Sequence, residues 1–147
     1  MNEIIAAENN NAIVAGTDFA IPNGYICTID TTNINGKVSL VNAVNNAVSS
    51  KTITGDVLRV VNVVTTPGER SRTGEVCKNT YLLCEDGTTY FTQSDGVSRS
   101  IALIVAAFTD PVTHQFTNPV ELGFGIKIVE EEMPNGNTLK KCVLANL

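Results

Sequence analysis

From Gly55 onward the chain alternates apolar and polar positions in blocks whose period changes once and then changes back. Gly55–Val64 is a β-branched run carrying Val57, Val60, Val61, Val63 and Val64, which predicts a strand. The turn Pro67-Gly68-Glu69-Arg70-Ser71-Arg72-Thr73-Gly74 separates it from a second predicted strand, Val76–Cys84. Asp86-Gly87 is a tight hairpin signal leading into a third, Thr88–Gln93. Asp95 then reads as the N-cap of a helix running to about Phe108, with Val97, Ile101, Leu103, Ile104 and Val105 apolar. After the loop Thr109–Asn118, period-two alternation returns in Val120–Glu130, with Leu122, Phe124, Ile126 and Ile128 on one face. Pro134-Asn135-Gly136-Asn137 turns the chain into a last strand, Thr138–Leu144.

Strand-strand-strand-helix-strand-strand is the element order of the OB-fold, a partly open five-stranded barrel that binds oligonucleotides and oligosaccharides on its strand 2–3 face and its 1–2 and 4–5 loops. Other small barrels share that order. Ahead of it, Gly24–Ile29 predicts a short strand carrying Tyr25, Ile26 and Ile29. Gly36–Val48 places Val38, Val41, Ala43, Val44 and Val48 at helical spacing, with Asn33 or Asn35 as cap. The expected fold is therefore mainly β: a five-stranded OB-like barrel over 55–147, with an N-terminal strand and helix covering one barrel opening. Residues 1–15 are Asn-rich and lack periodicity. They read either as a flexible arm or as an arm that pairs with a neighbouring subunit, which would make a homo-oligomer.

The 147 residues fit one domain, and 43% hydrophobic against 17% charged residues describes an ordered globular chain. The apolar run Ile101–Phe108 is too short to span a bilayer, and the N-terminus lacks the pattern of a signal peptide. A reducing, cytoplasmic setting is expected. Net charge is −5, which argues against a strongly electrostatic, generic nucleic-acid binder. Yet eight of the ten basic residues lie beyond position 55, and three of the eleven acids there form the run Glu130-Glu131-Glu132, so a basic groove on an acidic protein is open.

Catalytic chemistry is hard to assemble from these residues. The chain has no phosphate-binding P-loop, no nucleophile elbow and no zinc-protease motif, and its single histidine, His114, falls in a polar loop. Cys27, Cys77, Cys84 and Cys142 are 50, 7 and 58 residues apart, without a zinc knuckle, and read as small buried hydrophobes. Gly123-Phe124-Gly125 lies inside a predicted strand, where glycines permit bending or close approach, and the glutamate run reads as a solvated edge. No enzyme, cofactor or metal site is expected.

Binding a single strand requires rings for bases beside cations for phosphates. On the second and third predicted strands Tyr81 and Tyr90 fall where an OB-fold presents its ligand face; Tyr90, flanked by Thr92 and Ser94, reads as outward and Phe91 as core. Arg70 and Arg72 sit on the 1–2 loop, and Lys140 and Lys141 follow the 4–5 turn. Lys78 adds a cation on strand 2, and Lys127 lies beside Gly123 and Gly125 on the polar side of Val120–Glu130.

The series Asp86-Gly87-x-x-Tyr90-x-x-x-Ser94-x-Gly96-Val97-x-x-Ser100, followed by an apolar helix and a Pro-containing loop, resembles the phage single-stranded DNA-binding proteins of protein-primed replication systems. The upstream Asn42-Ala43-x-Asn45-Asn46-Ala47 is similar to the region before that family's barrel. The resemblance covers about Asn33–Leu144 and does not reach the first 30 residues. It implies a small OB-like protein that coats strands displaced during phage DNA replication in the bacterial host cell, with replication proteins as further partners, no membrane, and tyrosine rings contributing to binding. Only Tyr90 falls on the motif; Tyr81 is assigned by strand position and Tyr25 lies outside the aligned stretch. The alternative is a non-enzymatic adaptor or accessory structural protein that reuses the barrel to bind protein. An oligosaccharide role is disfavoured, because the chain has no tryptophan platform.

Overall fold

The computed structural model describes residues 13–14 and 24–147. In chain order the strands are β1 (Ile13–Val14), β2 (Ile26–Cys27), β3 (Val48–Ser49), β4 (Val57–Leu58), β5 (Val60–Glu69), β6 (Val76–Cys84), β7 (Thr89–Thr92), β8 (Phe124–Glu132) and β9 (Thr138–Asn146). Among the described residues two α-helices accompany them, α1 (Ile34–Asn45) and α2 (Asp95–Ala107). Single turns of 3-10 helix occupy Ser50–Ile53 and Pro119–Leu122.

The fold is mainly β, in two sheets. One runs β1-β2-β5-β6-β7-β3 and the other β4-β8-β9. The valine-rich run after Gly55 feeds both: Val57 and Leu58 pair with β8, while Val60 onward pairs with β6. A register shift between Val60 and Asn62 marks where the run crosses from one sheet to the other. The core lies between the sheets and α2, with Val60, Val63, Leu82, Val97, Ile101, Val105, Ile126 and Ile128 all nearly sealed from solvent.

The sheets do not close into a barrel; among the described residues no ladder joins β7 to β9. Helix α2 fills that gap. The Ser100 hydroxyl accepts the Cys142 amide of β9 at 2.7 Å and donates to the Gly96 and Val97 carbonyls. A strand amide left free by the missing ladder is thus satisfied by a helix side chain. Gly96 makes this docking possible, because a Cβ there would sit 1.9 Å from the Lys140 carbonyl oxygen.

The expected order of elements is present, with shifted ends. The first long strand reaches Glu69, because Pro67 and Gly68 pair with Lys78 and Cys77 rather than turning the chain. The N-cap of α2 is Ser94, whose Oγ accepts the Val97 amide, and Asp95 is the first helical residue. Asn33 caps α1, its Oδ1 accepting the Gly36 amide at 2.8 Å. Val120–Glu130 is corrected to a 3-10 turn followed by β8, with Gly123 between them at φ 90°. Leu122, expected on the apolar face, is exposed.

Of the segment 1–15, Ile13–Val14 pairs in parallel with Ile26–Cys27 of the same chain, and the rest lies outside the described residues. Helix α1 covers the outer face of the large sheet. Its Leu40 and Ala43 pack with Cys27, Ile29, Val64, Tyr81 and Leu83 in a second apolar cluster, while Ile34, Val38 and Val41 face solvent.

Candidate nucleic-acid interface

The outer face of β5-β6-β7 is where the sequence places stacking rings. Its cross-strand rows are fixed by register: Val64, Tyr81 and Phe91 form one, and Thr66 and Asn79 begin the next. The first row lies beneath α1. Tyr81 is 7% exposed, and its ring stands 5.4 Å from that of Phe91 at a 37° tilt. The outward placement of Tyr81 is therefore corrected, because a helix from outside the barrel elements occupies the space a base would need.

Tyr90 is corrected too. It pairs across from Leu82 and packs, half-buried, against the core between the sheets. Its neighbour Phe91 turns to the α1 side, so the alternation is right and the assignment of sides was reversed. The polar row remains open. Gln93 Nε2 donates to Asn79 Oδ1 at 2.9 Å and to the Glu69 carbonyl at 3.2 Å, tying β7's end to β5 and β6.

Half of the expected cations have acidic partners. Arg70 meets Glu75 at 3.2 Å and Asp95 at 3.0 Å, and donates to the Gln93 carbonyl at 3.1 Å, which pins the 1–2 loop to the start of α2. Arg72, in the same loop, is exposed and has no acidic partner among the described residues. Lys140 and Lys141 follow the turn, as expected, and lie within β9, so they point to opposite faces. Lys140 faces Glu130 at 3.8 Å, and Lys141 faces Glu131 at 3.0 Å. The glutamate run thus supplies cross-strand partners for two of the expected phosphate contacts.

Lys127 and Lys141 share the outer face of the smaller sheet, as the pairings Lys127 with Val143 and Lys141 with Val129 require. Of the two glycines expected beside Lys127, Gly123 is exposed but Gly125 is buried. A Cβ on Gly125 would meet Val57 Cγ1 at 2.5 Å and the Leu58 carbonyl at 2.8 Å, because β4 lies against it.

Lys78 behaves differently from the paired cations. It donates to the Gly24 carbonyl at 2.8 Å, and its ammonium stands 5.3 Å from the ring centre of Tyr25. Tyr25 and Lys78 line a cleft of about 310 Å³ with Val76, Asp95, Ser98 and Arg99. Sequence reasoning left Tyr25 and Arg99 out of the site; the one available signal was an aromatic residue just ahead of a short strand. A second, larger cleft of about 510 Å³ lies between α1 and the β6–β7 hairpin, with Asn42, Asn46 and Asn62 on its walls and no ring or cation.

The thiols are structural. Burial pushes Cys142 up to about 12 and Cys84 up to about 11, and raises Cys27, so none of these three is poised as a nucleophile near neutral pH. Asp30 and Asp110 are held below the usual carboxylate range by hydrogen bonds from Thr32 and from Thr113 and Val112 respectively, which makes them loop-fixing groups. His114 lies in the exposed loop where the sequence places it, at φ 60°. Among the described residues no three His, Cys, Asp or Glu side chains gather as metal ligands, and no helix is long and apolar enough to cross a membrane.

Comparison with curated proteins and with solved structures gave no match. A family model described as phage single-stranded DNA-binding protein, of the Phi29 type, matches residues 20–140. That stretch takes in α1, α2, Tyr25 and every described strand except β1 and most of β9. The chain belongs to the family of phage single-stranded DNA-binding proteins.

Proposed function

We propose that the protein binds single-stranded DNA without sequence preference and without catalysis, coating strands displaced during phage DNA replication in the cytoplasm of the bacterial host. The family match over residues 20–140 carries this reading. The element order, with one valine-rich run feeding both sheets, supports treating the two sheets as an open OB-like barrel. Phosphates are held first by the cations that lack acidic partners, Arg72, Lys78 and Lys127. Arg70, Lys140 and Lys141 contribute after exchanging their carboxylates for phosphate. Such exchange suits a coating protein, since contacts already partly neutralised bind weakly one by one and summed over a strand. Other replication proteins, and further copies meeting through the N-terminal segment, are part of the same reading.

Titration of a fluorescent oligothymidylate at low and moderate salt tests it. Binding should weaken as salt rises, with a slope near −0.7 per contacted phosphate. Absence of binding at low salt would remove the proposal. In that event the exposed apolar face of α1, formed by Ile34, Val38 and Val41, favours the alternative of a protein-binding adaptor.

A further inference from the structure

The cleft at the start of α2 differs in kind from the rest of the surface. At this end of the large sheet the apolar core gives out along β6, from Leu82 through Thr80 to Lys78 and Val76. Helix α2 contributes its first two turns, and the segment before β2 contributes a ring. Tyr25 is the chain's one tyrosine that neither lies buried beneath α1 nor packs against the core. Its ring already holds the Lys78 ammonium over one face at 5.3 Å from the centroid, a cation–π contact that keeps it in place. Arg99 is exposed on the opposite wall. Asp95, the acidic residue of the lining, is drawn toward Arg70 at 3.0 Å, which limits its repulsion of an incoming anion. The volume of about 310 Å³ stands at the lower end of the ~300–1,000 Å³ of small-ligand sites, room for one mononucleotide unit.

We propose that this cleft seats one nucleotide of the bound strand, its base against Tyr25 and its phosphate between Arg99 and Lys78. The inference rests on the single-stranded DNA reading above and adds the subsite that reading lacks. It makes the corner where α2 docks on β9 the anchor of the track, with Arg72 continuing it along the 1–2 loop. The face of β6 and β7 beneath α1 carries no base.

The absence of tryptophan makes the test direct, because the protein's intrinsic emission comes from its three tyrosines. Binding of an oligothymidylate should quench part of that emission. Tyr25→Ala should weaken binding about tenfold, the scale of one stacked base. Tyr25→Phe should recover most of that affinity while removing most of the binding-dependent quench. Arg99→Ala should weaken binding and flatten the salt slope by about 0.7, one phosphate for a single strand. If Tyr25→Phe is quenched as fully as the wild type and Tyr25→Ala binds as tightly, the subsite is wrong while the single-stranded DNA reading stands. If the wild-type protein fails to bind the oligonucleotide at low salt, that reading falls and the subsite falls with it.

Discussion

Under α1, Tyr81 meets the ring of Phe91 at 5.4 Å and is closed off by Leu40 and Ala43. At the start of α2, Tyr25 meets an ammonium at 5.3 Å and lines an open cleft. Both tyrosines belong to the large sheet and its approach, and both stand beside a helix. What separates them is the surface each helix presents. Helix α1 lays apolar side chains onto its sheet face and seals it. Helix α2 buries Val97, Ile101 and Val105, but its first turns also offer Asp95, Ser98 and Arg99. An aromatic ring becomes a core residue in the first setting and, in the proposed subsite, a binding element in the second. Strand position alone does not distinguish them.

The sharpest way to break that contrast is to truncate the buried ring. Tyr81→Ala opens a cavity between α1 and the sheet and should cost about 3 kcal/mol of stability, the low end for large aromatic truncations. Oligonucleotide affinity, measured on the folded fraction, should be unchanged. Urea unfolding read beside a binding titration checks both halves. A Tyr81→Ala protein with wild-type stability and lost affinity would put the ligand under α1 after all.

How α2 comes to lie at its corner is tested by Gly96→Ala. Alanine normally favours a helix over glycine by up to about 1 kcal/mol. Here its Cβ would press on the Lys140 carbonyl oxygen, which is backbone and has little room to yield. The variant should therefore lose about 2 kcal/mol, as overpacked sites do, and melt at lower temperature. A stabilised variant would mean that α2 stands further from β9 than described.

These two residues also show what was legible in the chain. The series Asp86-Gly87, Tyr90, Ser94, Gly96, Val97 and Ser100 carried the family resemblance, and nearly every member has a structural duty. Asp86 accepts the Thr88 amide in the hairpin, and Gly87 turns there at φ 92°. Ser94 caps α2, Gly96 and Ser100 dock it on β9, and Val97 and Tyr90 join the core. The motif therefore specifies a corner of the fold, and the contacts proposed above for DNA lie outside its members. Strands and helices were readable because period and turn chemistry are local. The covering of β6 by α1 was not, since it depends on contacts between residues about forty positions apart, such as Leu40 with Tyr81 and Leu83. The pairing of Lys140 and Lys141 with Glu130 and Glu131 was hidden for a related reason. Both lysines fall inside the expected strand Thr138–Leu144, and what was not read is the register that brings them beside the acids of β8.

That pairing leads to the smallest expected effect, which extends the contrast from rings to charges. Lys141 stands 3.0 Å from Glu131 on the face it shares with Lys127, which has no acidic partner among the described residues. Glu131→Gln removes the carboxylate while keeping the shape of the side chain. The pair is solvent-exposed, so the change should alter stability by less than about 1 kcal/mol. Binding responds in the other direction. A phosphate approaching Lys141 no longer competes with Glu131, and the net charge of that face rises by one. Affinity for an oligothymidylate should therefore increase by a few fold at low salt, about the 1 kcal/mol of an exposed charge pair. If Lys141 then contacts a phosphate that it did not hold before, the salt slope should steepen by as much as about 0.7. An affinity and slope identical to wild type would take the outer face of the smaller sheet off the path of the strand, leaving the α2 corner and the 1–2 loop to carry it.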